Sequence, residues 1–188
     1  VSNAKSKNMP SEKIERAIKK GTGELEGIIY EEITYEGYGP SGVAILMDVI
    51  TDNKNRTVAE IRHILGKYNG NLGESGSVSW MFKKKGQIIF SLGSINEENI
   101  LDDVLELDAE DFQIDNDLCI ISTIPENLMD IRDSFENKGY DIIAAEIEMV
   151  PQSFQKLSGK EADLAIKLLN FLQDNDDVNK LYSNLDFD

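Results

Sequence analysis

Cysteine and histidine are nearly absent from this chain: 188 residues contain one of each, Cys119 and His63. A lone cysteine makes no internal disulfide, which fits a reducing cytosol and predicts a cytoplasmic protein. It lies in the apolar run "DLCIISTI", so a buried, inert thiol is expected rather than a nucleophile. One histidine excludes a two-histidine metal site. No CxxC or GxSxG occurs, and no glycine-rich loop ends in Lys-Ser/Thr. No catalytic constellation, metal site or cofactor is therefore predicted. No apolar run approaches the roughly 18 residues that cross a bilayer. The opening "VSNAKSKNMP" is polar, unlike a signal peptide.

Positive charge is also scarce, and it is unevenly placed. The net charge is −16, from 19 Lys/Arg and 35 Asp/Glu. Residues 1–85 hold 13 Lys/Arg against 11 Asp/Glu, whereas residues 86–188 hold 6 against 24. The second part would repel phosphate backbones, so only the first could face nucleic acid. Hydrophobic residues make up 40% of the chain, as expected of a globular protein with a proper core.

The periodicities predict an α+β fold. "VSNAKSK" reads as the tail of a helix. A second helix starts near Pro10 with Ile14, Ala17 and Ile18 along one edge, and Gly21 and Gly23 end it. "IIYEEITY" (28–35) predicts a strand and "EGYGPSG" a turn. "VAILMDVIT" predicts a central strand buried on both faces. A helix follows over about 56–68. "SVSWMF" then alternates, which predicts a strand with Val78, Trp80 and Phe82 inward. Lys83–Lys85 and Gly86 mark an expected boundary. Beyond it the order strand, helix, hairpin, helix, strand makes a ferredoxin-like βαββαβ unit. Its second helix, opened by Pro125 and closed by Gly139, turns Leu128, Ile131 and Phe135 inward. Last come an amphipathic helix with Leu164, Ala165, Leu168, Leu169 and Leu172, capped by Ser158, and a strand near 178–185. These two cannot bury their own apolar faces, so they are expected to return to the first sheet. The predicted organisation is a helical-domain remnant (1–23), a discontinuous α/β domain (24–85 and 159–188) and an acidic insertion (86–158).

The stretch "DNKNRTVAEIRHILGKYNGNLGESGSV" (52–78) gathers most of the remaining chemistry. At about 100° per residue, Val58, Ile61, Leu65 and Tyr68 share one helix face, and Arg56, His63 and Lys67 share the other, with Glu60 beside them. Such a face is either simply solvated or an anion-contacting edge, extended by Asn53, Asn55 and Thr57 at the helix start. Glycines 70, 73 and 76 follow a helix and precede a strand, the reverse of a phosphate loop, and predict a C-cap turn. Carboxylate pairs such as Asp102-Asp103 and Asp176-Asp177 are expected on solvated faces.

The segments "AKSKNMPSEKIERAIKKG", "YEEITYEGYGPSGVAILMDVITDNKNRTVAEIRHIL" and "GNLGESGSVSWMFKKKG", and more loosely "NLDF", resemble the YebC family. Its members are known as probable transcriptional regulators, and mitochondrial relatives as translational activators. The resemblance covers nearly the whole chain and is most specific over residues 4–86. It implies a basic helical domain followed by two α/β domains, the third inserted in the second. The chain begins in what resembles the end of that helical domain. The resemblance supplies no catalytic residue, and a non-enzymatic factor is expected.

The expected function is a gene-expression factor contacting nucleic acid, either DNA as a regulator or ribosomal RNA and tRNA on the ribosome, with no membrane partner and as a monomer. The residues predicted to touch phosphate and sugar are Asn53, Asn55, Arg56, Thr57, Arg62, His63 and Lys67, supported by Lys83 and Lys84. No base-reading module such as a helix-turn-helix or zinc finger is visible, which favours an RNA read by shape. The alternative is a protein-interaction module that docks a basic partner through its acidic half.

Overall fold

The computed structural model describes residues 29–93 and 97–187. The expected helices before residue 24 lie outside the described residues. The chain divides into two compact units, one of residues 1–82 with 151–188 and one of residues 83–150.

In the first unit, β1 (Glu31–Tyr38) pairs antiparallel with β2 (Ala44–Thr51) through a turn at Pro40–Gly42. α1 (Lys54–Lys67) follows, then the short β3 (Asn71–Leu72). Later in the chain come β8 (Gln155–Leu157), α4 (Gly159–Gln173), β9 (Val178–Ser183) and β10 (Leu185–Phe187). The sheet order is β3-β1-β2-β9, and β8 pairs separately with β10 in parallel. Strand β9 lies antiparallel to β2, so the C-terminal helix and strand do return to the first sheet. Alternation explains the layering. Ile45, Met47 and Val49 of β2 face Ile61 and Leu65 of α1 and Ala165, Leu168 and Leu172 of α4. Ala44 and Leu46 are also buried, so the start of β2 is covered on both faces. Val58 is only half-buried, at the margin of the helix's core face.

The second unit follows β4 (Phe82–Ser91), α2 (Glu97–Glu106), β5 (Asp111–Asp115), β6 (Leu118–Thr123), α3 (Leu128–Asn137) and β7 (Ile142–Pro151). The sheet order β5-β6-β4-β7 is that of a ferredoxin-like βαββαβ unit. Phe90, Phe135 and Tyr140 form an aromatic cluster at its centre, with ring centroids 4.8–5.7 Å apart. Cys119 is fully buried there, and burial pushes its thiol up to about 11, so it is inert at neutral pH.

Four features differ from the sequence expectation. Strand β4 runs unbroken through the lysines and Gly86. Gly86 is a packing glycine, since a Cβ there would sit 2.4 Å from Thr123 Oγ1 and 3.0 Å from Leu128 Cβ. The exchange between units falls at 82/83 and 150/151, so residues 151–158 lie with the first unit, where β8 pairs with β10. The predicted strand 77–82 is a 3₁₀ turn (Ser79–Met81), which leaves Trp80 69% exposed instead of in the core. Val78 and Phe82 are buried as expected. Ser158 is the N-cap residue of α4, but its side chain makes no capping hydrogen bond.

Candidate nucleic-acid interface

Helix α1 starts because Asn53 Oδ1 accepts the Arg56 backbone N–H, 3.1 Å away. It ends in a left-handed Asn69 (φ 58°), with the Gly70 N–H donating to Leu65 O at 2.8 Å. Gly70 is obligatory there, because a Cβ would lie 2.5 Å from Tyr38 O. Thr57, Ile61 and Leu65 are buried, so the opposite side faces solvent. That side carries Asn55, Arg56, Ala59, Glu60, Arg62, His63, Gly66 and Lys67, all exposed.

The predicted residues divide into those held by the fold and those left to solvent. Asn53 is committed as the helix cap. Thr57 corrects the expectation outright: its residue is fully buried, and its hydroxyl hydrogen-bonds Asp177 Oδ2 (2.7 Å), Asn53 O (3.1 Å) and Thr51 Oγ1 (2.7 Å). A β-branched hydroxyl in the first turn satisfies the helix rather than a ligand. Arg56 is exposed but donates to Asp177 Oδ2 at 2.6 Å and Asp52 Oδ1 at 2.9 Å. These carboxylates, Asp177 foremost, raise its pKa further. Asp177 is therefore buried at the junction of α1 and β9, not solvated as its acidic neighbourhood suggested. Lys83 donates to Glu110 at 3.3 Å, and it lies with the exposed Lys84 in the other unit. Neither can be counted with α1.

Asn55, Arg62, His63 and Lys67 remain on the solvent face, joined by the exposed Lys54. The single carboxylate among them, Glu60, accepts from Asn175 Nδ2 at 3.0 Å. Lys67 Nζ sits 5.4 Å from the Tyr68 ring centroid and 5.3 Å from that of Phe171 on α4. The two rings stack at 5.3 Å. Phe171 escaped the sequence reading because its helix could be judged only by its leucine stripe. The contact with Tyr68 is made across about a hundred residues.

The glycine loop after α1 cannot cradle a phosphate, because it already holds an anion. Glu36 Oε1 accepts from Gly76 N and Oε2 from Val78 N and Ser79 N, each at 2.7 Å. Burial alone would push this carboxyl up. The three N–H groups and the Ser79 side chain outweigh it and hold the carboxyl below its ordinary value. The same bonds gather residues 76–79 into the turn that expels Trp80. A depression of about 380 Å³ on the first sheet is lined by Glu32, Thr34, Asp48 and Asn179, and its two carboxylates are ill suited to phosphate.

In the second unit the carboxylates dominate. Asp103 accepts from Lys138 Nζ (2.7 Å) and Tyr140 Oη (2.5 Å). Burial would raise the Asp103 carboxyl, but these donors outweigh it and lower its pKa. Among the described residues, no group of three or more His, Cys, Asp or Glu is arranged to hold a metal ion. Among them, too, no helix is long and apolar enough to cross a membrane.

A family model for the second and third domains of TACO1/YebC proteins matches residues 30–185. The chain belongs to the TACO1/YebC family. A relative from Dictyoglomus turgidum, named a probable transcriptional regulatory protein, is 49% identical over 99% of this chain and 75% of its own length. A Geobacter sulfurreducens relative named in the same way is 50% identical over the same shares. The crystal structure of a conserved hypothetical protein from Aquifex aeolicus superposes with a TM-score of 0.83 at 44% identity, covering all of this chain and 77% of that one.

Proposed function

We propose that this TACO1/YebC chain is a non-enzymatic gene-expression factor that contacts nucleic acid through the solvent face of α1, as a DNA-binding regulator or as an RNA-binding translation factor at the ribosome. The observation that carries the reading is the set of exposed, unpaired side chains Lys54, Arg62, His63 and Lys67 on one helix, with Glu60 engaged elsewhere. In a chain of net charge −16, cations on one helix that make no carboxylate pair among the described residues stand out. Cations so placed contact phosphate and position a backbone without reading sequence. The names of the relatives support the same area of biology.

The test is binding of a labelled duplex and a labelled single strand to the wild type and to Lys54→Gln/Arg62→Gln/His63→Gln. Weakened binding of both probes is expected, with unchanged melting. Unaltered affinity for both would remove α1 from the interface.

A second reading has its own observation. Helix α2 exposes Leu101 and Leu105 (71%) beside the exposed carboxylates Glu98, Asp102 and Glu106. A basic protein partner would match that surface. It would be favoured if Leu105→Ser and Asp102→Asn abolished capture of a purified basic ribosomal protein while nucleic-acid binding stayed intact.

A further inference from the structure

The rings of Tyr68 and Phe171 stand beside Lys67 of α1; Tyr68 packs partly buried against the core, and Phe171 leaves much of its ring in solvent. Phe171 is 48% exposed although it stacks on Tyr68. Lys67 bridges both rings at nearly equal distances, and Lys167 lies one turn before Phe171 on α4, also exposed. We infer that this aromatic pair is a stacking platform for an unpaired nucleobase, so that the ligand of the α1 face is single-stranded or looped nucleic acid rather than uninterrupted duplex. The inference rests on the reading of α1 as the nucleic-acid face and specifies what that face takes.

Two lines of physical reasoning meet here. A base presents its π-face to a protein ring only when it is not stacked within a duplex, and extracting one from a duplex costs several kcal/mol. Exposed rings beside cations are the combination with which proteins hold single strands, the rings taking bases and the cations taking phosphates. The second line is Gly66. It lies in the last turn of α1 between His63 and Lys67, fully in the helix, and a Cβ built on it meets nothing within 4 Å. No packing or positive φ requires glycine there, yet glycine weakens a helix relative to alanine. A close approach from outside the chain to the solvent face of α1, where Gly66 lies beside Arg62 and His63, would account for it. Asp174, exposed three residues beyond Phe171, puts a carboxylate at that end, which disfavours phosphate there.

The test uses the 188-residue chain with three probes: single-stranded RNA and single-stranded DNA of about ten nucleotides, within the site sizes of such proteins, and a duplex of the same sequence. Phe171→Leu keeps the apolar volume but removes the π-face. Loss of one stacked base should weaken single-strand binding by roughly 5- to 150-fold and leave the duplex unaffected. Gly66→Ala should raise the melting temperature while weakening single-strand binding, two effects of opposite sign that a purely structural glycine would not give. Either sugar supports the inference if Phe171→Leu removes the binding, and the tighter arm identifies the natural strand. Single-strand binding that survives Phe171→Leu, or that falls in step with duplex binding, overturns it. So does a Phe171→Leu chain that loses only a protein partner. In each of those cases the Lys54→Gln/Arg62→Gln/His63→Gln variant still reports separately on the α1 face: if it too binds both probes normally, the broader reading falls as well.

Discussion

Helices α1 and α2 do the same packing work and present opposite solvent faces. Each lies on one side of a four-stranded sheet and buries a short apolar edge, Ile61 and Leu65 in one, Ile100 and Val104 in the other. Outside that edge α1 carries Lys54, Arg56, Arg62 and Lys67 against Glu60, whereas α2 exposes Glu98, Asp102 and Glu106. Core chemistry fixes the fold and leaves the outer face free, so two similar architectures in one chain can meet different partners. The sign of the outer face, not the fold, is what separates them.

The largest expected effects test the shared half of this comparison. Phe135→Ala removes a fully buried ring stacked against Phe90 and edge-on to Tyr140, and should cost about 3–5 kcal/mol. Leu65→Ala should cost about 2–5 kcal/mol in the other unit. Hydrogen exchange locates the damage: faster exchange within 83–150 for the first variant and within 29–82 and 151–187 for the second. Uniform loss across the chain from either would show that the two cores do not unfold as separate units.

Acid sharpens the contrast next. Glu36 and Asp103 both have depressed folded-state pKa values, Glu36 through backbone N–H groups and Asp103 through Lys138 and Tyr140. A depressed carboxylate contributes stability that is complete above its unfolded value and is lost as pH falls through the folded one. Stability should therefore decline below about pH 4.5. Glu36→Gln should flatten that decline for residues 73–81, and cost about 1–3 kcal/mol at neutral pH because donors lose a charged acceptor. Asp103→Asn should flatten it for α2 and α3 alone. Denaturant midpoints as a function of pH, read with hydrogen exchange, check both.

The smallest stability effect has the opposite sign. Gly66→Ala should stabilise the chain by about 0.5–1 kcal/mol, since the site is helical and open. A loss of stability in thermal melts would mean that Gly66 serves the fold, and would take away one support for close approach at α1.

Much of this was legible beforehand where one signal sufficed. The apolar run 43–51, the leucine stripe of the last helix and the order of elements after residue 86 fixed the strands, the helices and the return of the C-terminus to the first sheet. The misreadings share a cause: each turned on a contact with a residue distant in sequence. Trp80 alternates with Val78 and Phe82, but Glu36, some forty positions earlier, folds that segment into a turn. Thr57 and Arg56 read as ligands until Asp177 arrives from the far end of the chain to hold both. Gly86 read as a boundary because its neighbour Leu128 is distant in sequence. On α1, helical spacing alone placed His63 and Lys67 on the solvent face. Lys54 and Phe171 needed the structure.

The most direct test is the salt dependence of single-strand binding in three chains: wild type, Lys54→Gln/Arg62→Gln/His63→Gln on α1, and Asp102→Asn/Glu106→Gln on α2. Each cation that neutralises a phosphate on a single strand contributes about −0.7 to the slope of log K against log salt. If the α1 face is the contact, its variant should bind more weakly with a slope shallower by about 1.4, from two cations removed, while the α2 variant keeps the wild-type slope. Parallel lines for the wild type and the α1 variant would contradict the account.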